Sequence, residues 1–389
     1  MTQAKPYTIG IDARLSGREH AGIGRYIENL ILELIQDEQK EINWVIFFHH
    51  RQQTKSLFAN SSPPDNLKLV FTPIKHYSFA EQFRWPKILK QQNLDLLHVP
   101  HFNIPLFYRQ PFVVTIHDLL WHQQIGPQAT TLPSWKYYTK YLAYRVVTAQ
   151  ALKRAAKIFV PTQAVKTDLI ALNNSLDSKI VITTEGISQP FRLELEKQLQ
   201  SIDKSPSQIT QNRHHSKKII YVGSLYPHKN IEVVLQALKK LKEYQLQIVC
   251  SRDIFVERTQ ERIKQLQLSN QVIFSGFLSD EELIKAIQSS LALIQPSKSE
   301  GFGLTAIEAM AAGTPVIASS LPVFKEIYDQ APLYFNPNSH QELITALEML
   351  NNKKEFEQRI KLGLQTAQKY SWREMAQKTI DSYLQVLNS

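Results

Sequence analysis

LALIQPSKSEGFGLTAIEAMAAGTPVIAS, residues 291–319, holds the pattern from which the fold can be read. Leu291 to Ile294 is an apolar run with the length and composition of a buried strand. Gln295-Pro296-Ser297 ends it, and a glycine-broken loop follows, Glu300-Gly301-Phe302-Gly303. Leu304 to Ala312 are helix formers without an internal Pro or Gly, and Gly313 stands where a helix ends on glycine. Thr314-Pro315 punctuates, and Val316-Ile317-Ala318 reads as the next strand. Strand, glycine loop, helix, strand is the grammar of a parallel α/β sheet.

That loop is chemically a place for an anion. The first N–H groups of a helix lack internal partners and carry the positive end of its dipole. Gly301 and Gly303 let a phosphate approach the main chain closely. Neither Glu300 in the loop nor Glu308 in the second helical turn is needed to neutralise a phosphate. Carboxylates accept hydrogen bonds from hydroxyls, so a sugar or ribose beside the phosphate is their natural partner. On spacing alone, a plain buried helix after a glycine turn, with two solvated glutamates, is equally open.

The run E-G-F-G-L-x-x-x-E-A-M-A-x-G-x-P-V-I-A-S resembles the E-x7-E segment of retaining glycosyltransferase family 4. A second, separate match is Tyr221-Val222-Gly223 followed by Pro227-His228-Lys229-Asn230. Others are G-I-D-A-R near the N-terminus, G-I-G-R-Y at Gly22 to Tyr26, V-T-I-H-D at Val114 to Asp118 and F-V-P-T at Phe159 to Thr162. They span nearly the whole chain in the family's order. The resemblance implies the GT-B fold: α/β, two Rossmann-like domains facing across a deep cleft, with a C-terminal helix crossing back to the first domain. The boundaries expected are 1–188 for the acceptor-side domain and 189–218 for a linker, helical or disordered in its middle. The donor domain would span 219–370 and the returning helix 371–389.

The bulk numbers agree with two domains of ordinary size, since 389 residues with 43% hydrophobic content can fill two cores. A single cysteine, Cys250, excludes an internal disulfide and suits a reducing compartment. The N-terminus lacks the apolar core of a signal peptide, and no window approaches the roughly 18 apolar residues that span a bilayer. The expectation is a cytoplasmic protein, peripheral on the inner face of the membrane. Net charge is +10, with 21 basic and 14 acidic residues before Gln189, so the first half carries most of the excess. The helical stretch from Trp135 holds Lys136, Lys140, Arg145, Lys153, Arg154 and Lys157 and no acid. Trp135, Tyr138, Tyr141, Leu142 and Arg145 recur there at helical spacing. They read either as a core face or as a basic-aromatic face lying on anionic lipid.

Other segments read more simply. Residues 7–13 form a first strand, and a loop carrying Gly17, Gly22 and Gly24 precedes an amphipathic helix. Phe112 to Ile116 is a strand ending at His117, and the C-terminal ends of parallel strands are where open α/β folds bind ligands. Residues 121–133 read as an ordered loop or lid. Ser279 or Asp280 caps a helix after Ser275-Gly276-Phe277-Leu278.

The resemblance assigns roles to these residues. Lys229 would bind the donor diphosphate together with the amides of Gly301, Phe302, Gly303 and Leu304, with Gly223 opening that loop. Ser224 stands where many relatives carry an arginine, which places more of the task on Lys229. Glu308 would hold the ribose, Glu300 and His117 the sugar, and Phe277 and Leu278 the base; Gly22 and Gly24 would face the cleft. Where relatives approach the base with a glycine, this chain has Cys250-Ser251-Arg252-Asp253. Thr184-Glu185-Gly186-Ile187 replaces the usual Pro-Asn-Gly-Val and leaves Glu185 without a role.

The enzyme implied is a metal-independent, cofactor-free retaining hexosyltransferase. It would use a nucleotide-diphospho-sugar, GDP-mannose favoured, and a glycan or lipid-linked acceptor, as in bacterial surface polysaccharide assembly. No Asp-x-Asp pair is present. Among rivals, a GT-B epimerase would lack E-G-F-G-L, and a phosphorylase would need a cofactor lysine environment that is not found. A nucleic-acid binder would need a recognisable motif, absent here, and a silent scaffold would not need Lys229, Glu300 and Glu308.

Overall fold

The computed structural model describes residues 5–17, 20–36, 41–55, 57–58, 62–120, 133–204, 213–250 and 255–389. Residues 121–132 of the expected loop or lid at 121–133, the centre of the expected linker at 205–212, and Ser251 to Asp253 therefore lie outside the described residues. The chain forms two compact units. The first gathers residues up to Trp121, Leu132–Glu185 and Trp372–Ser389; Gly186–Ser371 belongs to the second.

The first unit is a seven-stranded sheet in the order β3-β2-β1-β4-β5-β6-β7. Its strands are β1 (Tyr7–Asp12), β2 (Ile42–Phe48), β3 (Leu67–Phe71), β4 (Leu96–Val99), β5 (Phe112–Thr115), β6 (Ile158–Val160) and β7 (Ile180–Ile182). Every pairing is parallel. The near-continuous apolar strands are buried on both faces, as parallel sheets require. Core packing on one face centres on Phe47 and Trp85, whose rings meet edge to face at 4.8 Å, with Leu97, Val114 and Ile158 around them.

The last helix, Trp372–Leu387, belongs to this first unit and packs on the helix Ala21–Gln36. It buries Trp372, Met375, Ile380 and Tyr383, each contributing roughly 1.5–3 kcal/mol by leaving water. Tyr383 also reaches under the sheet, where its hydroxyl lies 2.6 Å from Nδ1 of His98. The expectation that the terminal helix returns to the first domain is met.

The second unit is a six-stranded parallel sheet in the order β10-β9-β8-β11-β12-β13. Its strands are β8 (Lys218–Val222), β9 (Gln245–Val249), β10 (Val272–Phe274), β11 (Ala292–Gln295), β12 (Val316–Ser319) and β13 (Leu333–Phe335). Both sheets are doubly wound, and each reverses direction once: between β1 and β4 in the first, between β8 and β11 in the second. Ligands of open α/β sheets bind beyond the carboxyl ends of the strands at such a reversal.

Two expectations need correcting. The linker reading of 189–218 fails for its first half, because Gln189–Lys204 is a helix packed on Leu304–Ala311 within the second unit. Its polar composition hid a buried stripe, Phe191 and Leu195, that needs a neighbour to cover it. The glycine loop near the N-terminus ends sooner than expected: Gly22 and Gly24 lie inside the first turns of the helix starting at Ala21. The chain turns instead at Gly17, with φ +112°, and a side chain at Gly24 would run into the Gly17 carbonyl. A side chain at Gly22 would meet nothing.

Candidate active site

In the second unit the two loops at the sheet reversal bring Lys229 and Glu300 together. β8 ends at Val222, and Gly223 turns the chain with φ +149°, its neighbour Ser224 held by a hydrogen bond from the Tyr221 hydroxyl to the Ser224 carbonyl. A single turn, Pro227–Lys229, then presents Lys229. Asn230 follows in the left-handed conformation, φ +57°, and its buried amide donates to the carbonyls of Pro296 (2.9 Å) and Pro337 (2.8 Å). Those bonds tie the lysine loop to the end of β11. A further tie is the Lys298 amide, which donates to the His228 carbonyl at 2.7 Å.

Lys229 Nζ donates to Glu300 Oε1 at 2.6 Å. The same oxygen accepts from Ser297 Oγ (2.8 Å) and Gln295 Nε2 (3.2 Å), while Gln295 Oε1 accepts from Thr305 at 3.2 Å. Burial pushes the Glu300 carboxyl up, but the Lys229 charge and hydrogen bond, the Ser297 bond and His228 together leave it below the ordinary carboxylate range. Burial, reinforced by the Lys229 charge, lowers His228 to about 4 and keeps it neutral.

Gly303 caps the helix Leu304–Ala311 with φ +93°. A Cβ there would run into the Tyr328 hydroxyl and Phe324, and that hydroxyl donates to the Gly303 carbonyl at 2.6 Å. Glycine is therefore required twice over, by backbone handedness and by space. Phe302 is buried, its ring edge against Tyr370 at 5.7 Å, so only its backbone is placed to serve an anion. The two glutamates assigned to the sugar and the ribose differ: Glu300 is partly exposed, whereas Glu308 is fully buried and accepts from Ser188 Oγ at 3.4 Å. Glu308 lies on the side of its helix turned toward the segment that leads into Gln189–Lys204, a helix that the linker reading did not place in the second unit. Phe277 is exposed and Leu278 half-buried, just past Gly276 with φ +63°.

In the first unit His117 sits beyond β5 with both ring nitrogens engaged. Nε2 lies 3.2 Å from the Pro100 carbonyl, which can only accept, so Nε2 carries the proton of that bond. Nδ1 lies 3.5 Å from Glu185 Oε1, and the Tyr26 ring meets the imidazole edge-on at 4.6 Å. Tyr26 is fixed in turn by Thr115 Oγ1 (3.1 Å), and Thr115 by His98 Nε2 (2.8 Å). Sequence reading missed this array. The one signal available was the unusual Glu185, which has no meaning until β7 is known to end beside His117.

His98 is fully buried, and burial, helped by the charge of His117, brings it down to about 3. Its value in the unfolded chain is near 6.5, so the unfolded state takes up the proton first as pH falls. Stability from this group is complete above about pH 6.5 and declines toward about pH 3, by roughly 1.4 kcal/mol per unit. Urea unfolding followed by tryptophan fluorescence should show a midpoint falling from pH 6.5 to 4. His98→Asn should flatten that slope by about one proton's worth; an unchanged slope would exclude His98 as its source.

A parallel sheet whose reversal point holds a lysine, a carboxylate and a glycine-opened helix terminus has the arrangement of an α/β enzyme that binds its ligand beyond the carboxyl ends of the strands. Comparison with known proteins makes this particular. Residues 20–188 match the family described as Glycosyltransferase Family 4, and residues 204–365 the family described as Glycosyl transferases group 1. The chain belongs to the GT-B glycosyltransferases that join these two domains, and is an enzyme of the hexosyl-transferring class. The O-antigen chain mannosyltransferase RfbU of Salmonella typhimurium is 28% identical over 294 residues, 75% of this chain and 74% of that protein. Among solved structures, sucrose-phosphate synthase from Thermosynechococcus elongatus superposes with a TM-score of 0.71 at 17% identity, covering 98% of this chain and 99% of that one. HepE of Anabaena, in complex with UDP-glucose, gives 0.69 at 18% identity over 97% and 99%.

Proposed function

We propose that this protein transfers a hexose, mannose by preference, with retention of configuration, from a nucleotide-diphospho-sugar to a glycan or lipid-linked acceptor in surface polysaccharide assembly. The observation that carries this reading is the meeting of Lys229 and Glu300 at the reversal of the second sheet, 2.6 Å apart. Glycosyl transfer builds positive charge at the anomeric carbon as the diphosphate leaves with growing negative charge. Lys229 and the amides of Gly301 to Leu304 would stabilise that leaving group, a task that then needs no divalent metal. Glu300 would accept hydrogen bonds from sugar hydroxyls and Phe277 would flank the base. Glu308 would hold the ribose with the acceptor sites that the long bond from Ser188 leaves to it.

GDP-mannose is the favoured donor because RfbU is an O-antigen chain mannosyltransferase; HepE holding UDP-glucose sets UDP-sugars beside it. The test is to incubate the protein with a panel of nucleotide sugars and measure released nucleoside diphosphate, alongside thermal shifts with GDP, UDP, ADP and dTDP. A donor-specific release and a matching shift are expected. Release from none of the sugars with any acceptor fraction would overturn the reading.

The acceptor side of the proposal rests on the first unit's surface. The helix Ser134–Arg154 buries Tyr137, Tyr144 and Thr148, whereas Trp135, Tyr138 and Leu142 are exposed and Tyr141 half-buried. Of the two readings of this face, core or lipid-facing, the core one is excluded, since Trp135, Tyr138 and Leu142 point to solvent. Arg154 donates to the carbonyls of Leu106 and Tyr108, and the exposed Phe107 between them stacks on exposed Phe83 at 5.0 Å. Arg84 and Lys87 are exposed beside Phe83. Aromatic rings interleaved with cations suit an anionic lipid surface, each basic residue contributing about 1 kcal/mol. Salt-sensitive co-sedimentation with anionic vesicles is expected, screened as the Debye length shrinks to about 8 Å. Replacing Lys136, Lys140 and Arg145 with Gln should weaken it and leave nucleotide affinity intact. A triple variant that sediments like wild type would reduce this face to a solvated helix.

A further inference from the structure

We infer that Glu300 occupies the diphosphate-binding lysine in the nucleotide-free protein, and that this pair makes the site discriminate between a nucleotide sugar and the bare nucleoside diphosphate. The inference rests on the donor site proposed above and adds to it a rule for product release. Sequence alone assigns Glu300 to the sugar and leaves nucleotide binding to other groups.

The geometry makes the two partners unequal. Glu300 is anchored on its own loop by Ser297 Oγ and Gln295 Nε2, and Gln295 is anchored by Thr305, so the carboxylate stays where it is whatever Lys229 does. Lys229 has a fixed backbone, through Asn230 and the carbonyls of Pro296 and Pro337, but a flexible four-carbon side chain. An arriving diphosphate therefore draws the lysine away from a stationary carboxylate. With a bare nucleoside diphosphate, Glu300 loses its cation and faces phosphate oxygens of the same charge. With a sugar attached, hydroxyls donate to Glu300 and replace the lost bond. The carboxylate thus opposes the diphosphate unless a sugar accompanies it. Once the sugar has been transferred, re-forming the Lys229–Glu300 pair favours departure of the nucleotide.

The test is calorimetry without acceptor, using GDP, UDP, ADP and dTDP and then the sugar nucleotide of whichever binds. It compares wild type with Glu300→Gln, which keeps an acceptor for Ser297 but removes the charge, and with Lys229→Ala. Glu300→Gln is expected to bind the bare diphosphate about tenfold tighter than wild type, without an equal gain for the sugar nucleotide. Lys229→Ala should lose affinity for both. Glu300→Ala is the second variant and should move the same way if the glutamine form does not fold. Bare-diphosphate affinity equal to or weaker than wild type in the charge-removed variants would overturn the inference. The donor site itself would still stand if wild type binds and Lys229→Ala does not. Failure of wild type and both Glu300 variants to bind any of the four nucleotides would overturn the site and the inference together.

Discussion

Arg14→Leu is expected to destabilise the first unit by about 3–5 kcal/mol, a large part of a domain's whole stability. Arg14 and its two carboxylate partners are inaccessible to water. Its guanidinium grips Asp12 at both oxygens (2.8 and 2.7 Å), reaches Glu81 at 2.8 Å and the Ile74 carbonyl at 3.2 Å, and lies over the Trp85 ring at 4.3 Å. Glu81 is further held by the Tyr77 amide and the Asn103 side chain, both at 2.7 Å. Burial pushes both carboxyls up; Arg14 brings Asp12 below the ordinary range, and His76 at 3.1 Å, followed by Arg14 and Asn103, does so for Glu81. Removing the arginine strands the buried Asp12 anion and takes from Glu81 its guanidinium partner, leaving it to His76 and Asn103, and the loops after β1, β3 and β4 lose their common tie. Urea unfolding watched through the buried Trp44 and Trp85 measures the effect. A loss under 1 kcal/mol would show that the carboxylates find other partners. Arg14→Lys should fall between, because an ammonium cannot take Asp12 with two parallel bonds.

The second large effect is on catalysis. Lys229→Ala should lower kcat/KM for the donor by roughly tenfold to a hundredfold, the loss of one charge-assisted contact to a diphosphate, about 1.5–3 kcal/mol. Circular dichroism should report an intact fold, since Asn230 and Ser297 hold the loops without the lysine. Initial rates over a range of donor concentrations decide the matter, and wild-type kcat/KM in this variant would remove Lys229 from the site.

Some of this protein follows from its residues in order. Wherever structure is imposed by neighbours along the chain, the sequence suffices. The apolar runs at 291–294 and 316–318 mark the strands Ala292–Gln295 and Val316–Ser319 because that composition belongs buried. Gly303 is glycine because its backbone turns left-handed, and Ser279 caps a helix because its hydroxyl reaches the amide three residues on. The match to a two-domain glycosyltransferase rests on the same local signatures, which is why fold and enzyme class were legible together.

What the tertiary structure alone decided are contacts whose partners lie far apart in the chain. Glu81 is 67 residues from Arg14, Glu300 is 71 from Lys229, and Tyr383 is 285 from His98. No periodicity encodes such pairings, because they depend on strand order, which places β8 beside β11 and β1 beside β4. Burial of Phe302 and Glu308 was invisible for the same reason, since the layers covering them are Tyr370 and the helix after Ser188. Helical spacing marked Trp135, Tyr138, Tyr141, Leu142 and Arg145 as one face and left open whether core or lipid covers it. The packing of the unit decided against the core, because Tyr137 and Tyr144 are the rings it buries, with Trp135, Tyr138 and Leu142 left facing water.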